Sequence, residues 1–259
     1  MQIVNIAGYK FVSVDEPEVW RAAIHERCAT LQLKGTVVVA PEGINIFLAG
    51  LRENISSFTA FIREDSLFEG RLVDIQFKES LSESQPFGKM VVRIAKEIIT
   101  MRMPIIRPEN QRAAAVEAKV LKRWLDTGFD EEGREIVLID TRNAFEVEMG
   151  TFEEALNFKI ERFSQFPDEI ERYAAEHATT LAEKTIVTFC TGGIRCEKAA
   201  LFMNQLQLPR VFQLEGGILK YFEEAGGSHW RGDCFVFDER VALDPQLRSS
   251  NAIRPTSDT

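Results

Sequence analysis

Apolar positions along the first hundred residues switch repeatedly between two periods. Ile3-Val4-Asn5-Ile6 and the run from Tyr9 to Val14 read as strand. Asp15-Glu16-Pro17-Glu18 has the polar cap and early proline of a helix start. Trp20, Ile24, Cys28 and Leu31 then recur at helical spacing, with Gly35 closing the region. Thr36-Val37-Val38-Val39-Ala40 is β-branched, Pro41-Glu42-Gly43 supplies turn chemistry, and Ile44 to Ala49 returns as strand. Ile55, Phe58 and Ile62 mark a second helix, and Leu72 to Phe77 alternates as a strand. Met90 to Ile94 and Glu97 to Thr100 read as further strands.

The order β-α-β-β-α-β is the ferredoxin-like pattern. It predicts an α/β N-terminal domain over 1–100, of the acylphosphatase-like kind. Pro104 and Pro108 break regular structure, so 101–115 is expected to be a linker. An alanine-rich helix follows through Val116, Val120, Trp124 and Leu125, capped by Gly128. Ile136 to Asp140, Thr185 to Phe189 and Val211 to Leu214 are near-continuous apolar runs, as buried parallel strands are. Strands alternating with helices predict a parallel sheet flanked by helices over 116–228. Residues 229–259 form a C-terminal extension, and the polar last dozen are expected to be disordered.

Composition narrows the class. Of 259 residues 45% are hydrophobic, enough for real cores, and the net charge of −9 excludes a globally basic nucleic-acid binder while leaving room for a local basic patch. No 18-residue apolar stretch exists, so no membrane span is expected. Met1-Gln2-Ile3-Val4-Asn5 lacks the basic start and apolar run of a signal peptide, which points to the cytoplasm. There the four cysteines, Cys28, Cys190, Cys196 and Cys234, are expected as thiols. His25, His177 and His229 have no metal spacing and no CxxC pair accompanies them, so no metal site is expected.

The chemistry concentrates in Cys190-Thr191-Gly192-Gly193-Ile194-Arg195-Cys196, between a strand and a helix. Ligands of such sheets bind at the carboxyl ends of strands. A cysteine there faces the unpaired N–H groups and dipole of the following helix. Two glycines let the backbone curl so that N–H groups point inward. Arg195 adds positive charge, and all three effects lower the thiol pKa. Four residues separate Cys190 from Arg195, one fewer than in the phosphate loop of cysteine phosphatases, and Phe189 stands where those enzymes usually place histidine. The shorter loop suits a sulfur or other small group carried on the thiolate. Ile139-Asp140-Thr141-Arg142 with Phe145-Glu146, and Gln213-Leu214-Glu215-Gly216-Gly217-Ile218 with Tyr221-Phe222, resemble the opening and closing segments of rhodanese domains. Asp140, Arg142 and Glu146 read as a structural ion-pair network.

The resemblance extends to a particular family. Leu33-Lys34-Gly35-Thr36, Ala40-Pro41-Glu42-Gly43-Ile44-Asn45, Ala49-Gly50, Lys96-Glu97-Ile98-Ile99-Thr100-Met101, the cysteine loop through Ala199, and Cys234-Phe235-Val236-Phe237-Asp238 all resemble the bacterial tRNA uridine(34) hydroxylases. That resemblance covers about residues 1 to 245. It implies oxygen-dependent hydroxylation of the wobble uridine to 5-hydroxyuridine, with tRNA as partner, molecular oxygen as co-substrate and no bound cofactor. Two departures stand out. Ile46-Phe47 follows Asn45, where the family commonly has Gly-Thr. Longer members carry a cysteine-rich tail, so this chain reads as a shorter member in which Cys234 is alone, and one cysteine builds no tetrahedral zinc site.

Several residues keep two readings. Cys196 is either a small helix residue packed on the sheet or the thiol that resolves oxidised Cys190 as a disulfide. Cys28 shares an apolar helical stripe and reads as core. Glu42 and Asn45 belong to a tight turn or contact a nucleotide. Between Lys89 and Arg112 six basic residues, including Arg102, Arg107 and Arg112, face only Glu97 and Glu109. That stretch is a solvated linker or a phosphate-backbone contact. The competing functions are a persulfide-carrying sulfurtransferase using Cys190 and a non-enzymatic tRNA- or partner-binding module.

Overall fold

The computed structural model describes residues 2–250, so most of the tail expected to be disordered, 251–259, lies outside the described residues. The chain divides into two compact units, Met1–Thr100 and Met101–Thr259.

In the first unit the strands are β1 (Ile3–Phe11), β2 (Lys34–Ala40), β3 (Gly43–Gly50), β4 (Phe77–Ser82) and β5 (Met90–Ile94), with helices α1 (Pro17–Thr30) and α2 (Arg52–Glu64). The sheet order is β4-β1-β3-β2-β5, which is the ferredoxin-like arrangement with β5 added in parallel beside β2. Trp20, Ile24 and Cys28 from α1 and Ile55, Phe58 and Ile62 from α2 are buried in one core with the sheet's inner face. At roughly 25 cal/mol per Å² of buried apolar surface, that stripe spacing is what holds both helices on the sheet.

Three expectations are corrected. Leu72–Phe77 is not a strand: Arg71, Val73 and Ile75 each donate to the carbonyl three residues back, and the strand begins at Phe77. Leu72 and Ile75 are buried while Val73 is 62% exposed, a spacing of three that these turns produce and that alternation imitates over so short a run. Gly35 lies inside β2, and Glu97 to Thr100 forms no strand.

The second unit opens with 101–114, which has no regular element yet buries Met101, Ile106 and Ala113. Its sheet contains β6 (Ala115–Val116), β7 (Ile136–Asp140), β9 (Leu156–Asn157), β10 (Thr185–Phe189) and β11 (Val211–Leu214). The order is β6-β11-β10-β7-β9, and every pairing is parallel. Val116, read as helical, instead pairs beside Leu214, and helix α3 (Ala118–Thr127) starts two residues later, ending on left-handed Gly128. The remaining helices are α4 (Ala144–Val147), α5 (Phe166–Glu176), α6 (Ala178–Ala182), α7 (Ile194–Gln205) and α8 (Gly217–Ala225). Helices α3 and α8 pack on each other, as do α5 and α7. Strand β8 (Gly150–Phe152) pairs with β12 (Trp230–Gly232), and β13 (Cys234–Phe235) with β14 (Ala242–Leu243). No helix among the described residues is long and apolar enough to cross a membrane.

Candidate active site

Every residue of the central strand β10 is buried, and the strand delivers Cys190 at its carboxyl end. The chain then turns through Thr191 and Gly192 into Gly193, the N-cap of α7, whose φ of 100° is the left-handed region open to glycine. The Gly193 N–H donates to Cys190 Sγ at 3.1 Å. The Arg195 backbone N–H and the Cys196 thiol also donate to that sulfur. The loop is locked from outside by α8. Ile218 N–H donates to the Cys190 carbonyl at 2.9 Å and Leu219 N–H to the Thr191 carbonyl at 3.2 Å. Because the carbonyls are held outward, the loop's N–H groups face the sulfur. This close approach explains Gly217: at φ +68° its backbone passes so near that a Cβ would sit 2.4 Å from the Cys190 carbonyl oxygen. A Cβ on Gly192, in contrast, would meet nothing within 4 Å, so that side of the loop is open.

Two buried ion pairs support the loop. Arg195 grips Glu146 with both nitrogens, Nη1 to Oε2 at 2.6 Å and Nη2 to Oε1 at 2.8 Å. Glu146 also accepts from the Asn143 backbone N–H at 3.1 Å, capping α4. Arg142 donates to Asp140 through Nε at 2.9 Å and Nη2 at 2.6 Å, and to the Gly150 carbonyl at 2.7 Å. Thr151 Oγ1 adds a bond to Asp140 at 2.8 Å. Asp140 and Arg142 thus tie the end of β7 to β8. Glu146 fixes the guanidinium whose charge serves the thiolate.

Burial raises the Cys190 pKa. The Cys196 thiol, the Arg195 charge and the backbone N–H groups of Arg195 and Gly193 outweigh it and bring the pKa down to about 5. Burial and the neighbouring Cys190 anion hold Cys196 well above the usual thiol range. Burial pushes Cys28 and Cys234 each up to about 12. Of the four cysteines Cys190 is therefore the thiolate at neutral pH, and Cys196 is the neighbour that donates to it. Cys196 also contacts Thr141 Oγ1 at 3.9 Å.

The structure gathers Cys190, Thr191, Gly192, Gly193, Ile194, Arg195, Cys196, Asp140, Arg142 and Glu146 into one site. Glu42 and Asn45 lie in the other unit and both hold Ile98: Glu42 Oε1 accepts its N–H at 2.7 Å, and Asn45 Nδ2 donates to its carbonyl at 3.4 Å. Arg102 and Arg107 are exposed. Arg112, three-quarters exposed along its side chain, pairs at 2.9 Å with Glu197, which is buried on α7. Cys234 has no cysteine near it in the sequence. It sits in β13 beside the loop, where Thr191 Oγ1 donates to the Phe235 carbonyl at 3.5 Å. Nothing in the spacing of Cys234 signals that contact. No group of three or more His, Cys, Asp or Glu suited to a metal occurs among the described residues.

A central parallel strand that ends in a buried thiolate, cradled by backbone N–H groups in a short loop closed by arginine, defines a rhodanese-like domain, and residues 117–224 match the family described as "Rhodanese-like domain". Residues 3–98 match "UPF0176 acylphosphatase like domain". Over 250 residues the chain is 57% identical to a "tRNA uridine(34) hydroxylase" of Paraburkholderia phytofirmans, and 58% identical to that of Paraburkholderia xenovorans; each match spans 96% of this chain and 86% of the relative. A solved structure, the BH2092 protein from Bacillus halodurans, is 23% identical, covers 46% of this chain and 77% of its own, and superimposes with a TM-score of 0.36. The chain belongs to the tRNA uridine(34) hydroxylase family.

Proposed function

We propose that this chain hydroxylates the wobble uridine of tRNA to 5-hydroxyuridine, with molecular oxygen as co-substrate and Cys190 as the working group. The observation that carries the reading is the pair of adjacent thiols in opposite states: Cys190 ionised near pH 5, Cys196 neutral and donating to it. Inserting one oxygen atom from O2 into a C–H bond leaves the second atom to leave as water, which takes two electrons and two protons. Two thiols becoming one disulfide supply both. Uridine, O2 and two thiols give 5-hydroxyuridine, water and the Cys190–Cys196 disulfide, and an external dithiol then resets the site. No bound metal or organic cofactor enters this balance. The relatives' printed name and the identity above support the substrate. A cytoplasmic setting fits both the substrate and the thiol state.

Sulfur transfer by Cys190 alone is the second reading, favoured only by the loop's likeness to rhodaneses. The two separate at Cys196, because a persulfide carrier needs one thiol. Cys196→Ser is expected to abolish 5-hydroxyuridine in cells while sparing any thiosulfate-to-cyanide transfer. A folded Cys196→Ser protein that hydroxylates at the wild-type level refutes the two-thiol balance. Wild-type protein that transfers sulfur but forms no 5-hydroxyuridine moves the assignment to the sulfurtransferase reading.

A further inference from the structure

Beside the catalytic loop stands a ladder of three phenylalanines. Phe145 meets Phe235 edge to face at 5.1 Å, and Phe235 meets Phe237 edge to face at 5.0 Å. Phe235 is buried, but Phe237 at the end of the ladder is 51% exposed. Two of the three rings are tied to the site: Phe145 precedes Glu146, the partner of Arg195, and the carbonyl of Phe235, the middle ring, accepts from Thr191 of the loop.

The hairpin carrying Phe237 is built to hold its position. Asp238 accepts from the Arg240 guanidinium, Nε to Oδ1 at 2.8 Å and Nη2 to Oδ2 at 2.5 Å, and from the Arg240 backbone N–H at 2.9 Å, and both side chains are nearly buried. Val241 closes the turn at φ 65°, a conformation that costs a β-branched residue free energy and persists only where the surroundings impose it. A lone exposed apolar residue needs no explanation. A rigidly stacked one, on a strained turn, at the rim of a thiolate loop, is different. Phe129, similarly exposed, lies just before β7, at the opposite end of the sheet from Cys190.

We propose that the exposed face of Phe237 is a stacking platform for a nucleobase of the substrate RNA, either the target uridine or one of its immediate neighbours. The inference rests on the hydroxylase reading. Cys190 is wholly buried, so a pyrimidine carbon can approach the loop only after its base has left the RNA stack. Unstacking costs free energy that an aromatic face restores without reading sequence. Among the described residues Phe237 is the one exposed large apolar side chain of its hairpin, which suits a base better than a protein, whose anchor residues sit in broad desolvated patches.

The test uses the full chain and a synthetic anticodon stem-loop. Phe237→Ala is expected to bind it about tenfold more weakly, with circular dichroism and Cys190 alkylation unchanged. Phe237→Trp should restore binding and Phe237→Leu should not, since stacking needs a π-face. Stem-loops made abasic at the target or at either neighbour identify the base: in one of them wild type and Phe237→Ala bind alike. Equal binding and modification of the intact RNA by Phe237→Ala, full rescue by Leu, or a loss that persists in all three abasic RNAs each overturns the platform. If wild-type protein neither binds nor hydroxylates the RNA, the hydroxylase reading fails and the platform falls with it. If wild type works and Phe237→Ala matches it, only the platform falls.

Discussion

Removing the Cys196 donor should move the titration of Cys190 upward. In the wild-type site the Cys190 pKa lies at about 5, against about 8.5 for a free thiol. At pH 5.5 about three-quarters of Cys190 is thiolate, whereas an ordinary thiol is about one part in a thousand ionised. The absolute alkylation rate at neutral pH is a poor observable. The roughly 30-fold gain in thiolate fraction there is offset by lower intrinsic nucleophilicity, since reactivity falls with pKa at a slope of about 0.4–0.5. Burial scales the rate further, but by the same factor at every pH, so the shape of the profile is preserved. The assay is therefore the pH profile of iodoacetamide labelling, followed residue by residue by peptide mass spectrometry. Cys190 is expected to reach half its plateau rate near pH 5, with Cys28, Cys196 and Cys234 unlabelled at that pH. Cys196→Ala loses the strongest of the stabilising contacts and should shift the midpoint up; Cys196→Ser, which keeps a donor, should shift it less. A wild-type midpoint near 8.5, or a Cys196→Ala profile that overlies the wild type, refutes the reasoning.

The same depressed pKa makes stability depend on pH. Because the folded state favours the thiolate, its contribution is full above the unfolded thiol's pKa and is lost as pH falls towards 5, so the stability difference between wild type and Cys190→Ser should widen from pH 5 to 9 in urea titrations. Asp140→Asn removes the paired carboxylate of the fully buried Arg142 and should cost about 3–5 kcal/mol; a loss under about 1 kcal/mol contradicts the buried-pair reading. Gly217→Ala should abolish activity or folding through its clash with the Cys190 carbonyl, whereas Gly192→Ala, facing open space, should leave the melting temperature nearly unchanged. Reversing charge at Arg102 and Arg107 should weaken tRNA binding and flatten its salt dependence, and unchanged affinity at all salt concentrations removes that segment from the interface. Arg112 needs separate treatment, since its reversal also sets a carboxylate against buried Glu197.

What the sequence makes legible is local. The loop from Cys190 to Cys196 is contiguous, and the apolar runs that become β7, β10 and β11 are long enough to declare themselves. The loop's chemistry follows from residue types at fixed spacing. Less legible are short elements and distant partners. Leu72 to Phe77 alternates over too few residues to separate a strand from successive turns. Ala115–Val116 is a two-residue edge strand, below any periodic signal. Glu42 finds Ile98 across 56 positions, and Arg195 finds Glu146 across 49, pairings that no single-chain pattern contains. The segment from Cys234 to Asp238 is visible in the sequence only as a family motif until the fold sets it against Thr191, and the phenylalanine ladder exists only once α4 and β13 pack together.

The most direct test of the central claim is nucleoside mass spectrometry of tRNA from a strain lacking this gene, complemented with wild type or with Cys190→Ser. Restoration of 5-hydroxyuridine by wild type and its absence with an equally abundant, folded Cys190→Ser protein is the expected result. 5-Hydroxyuridine restored by Cys190→Ser, or absent with both, contradicts it.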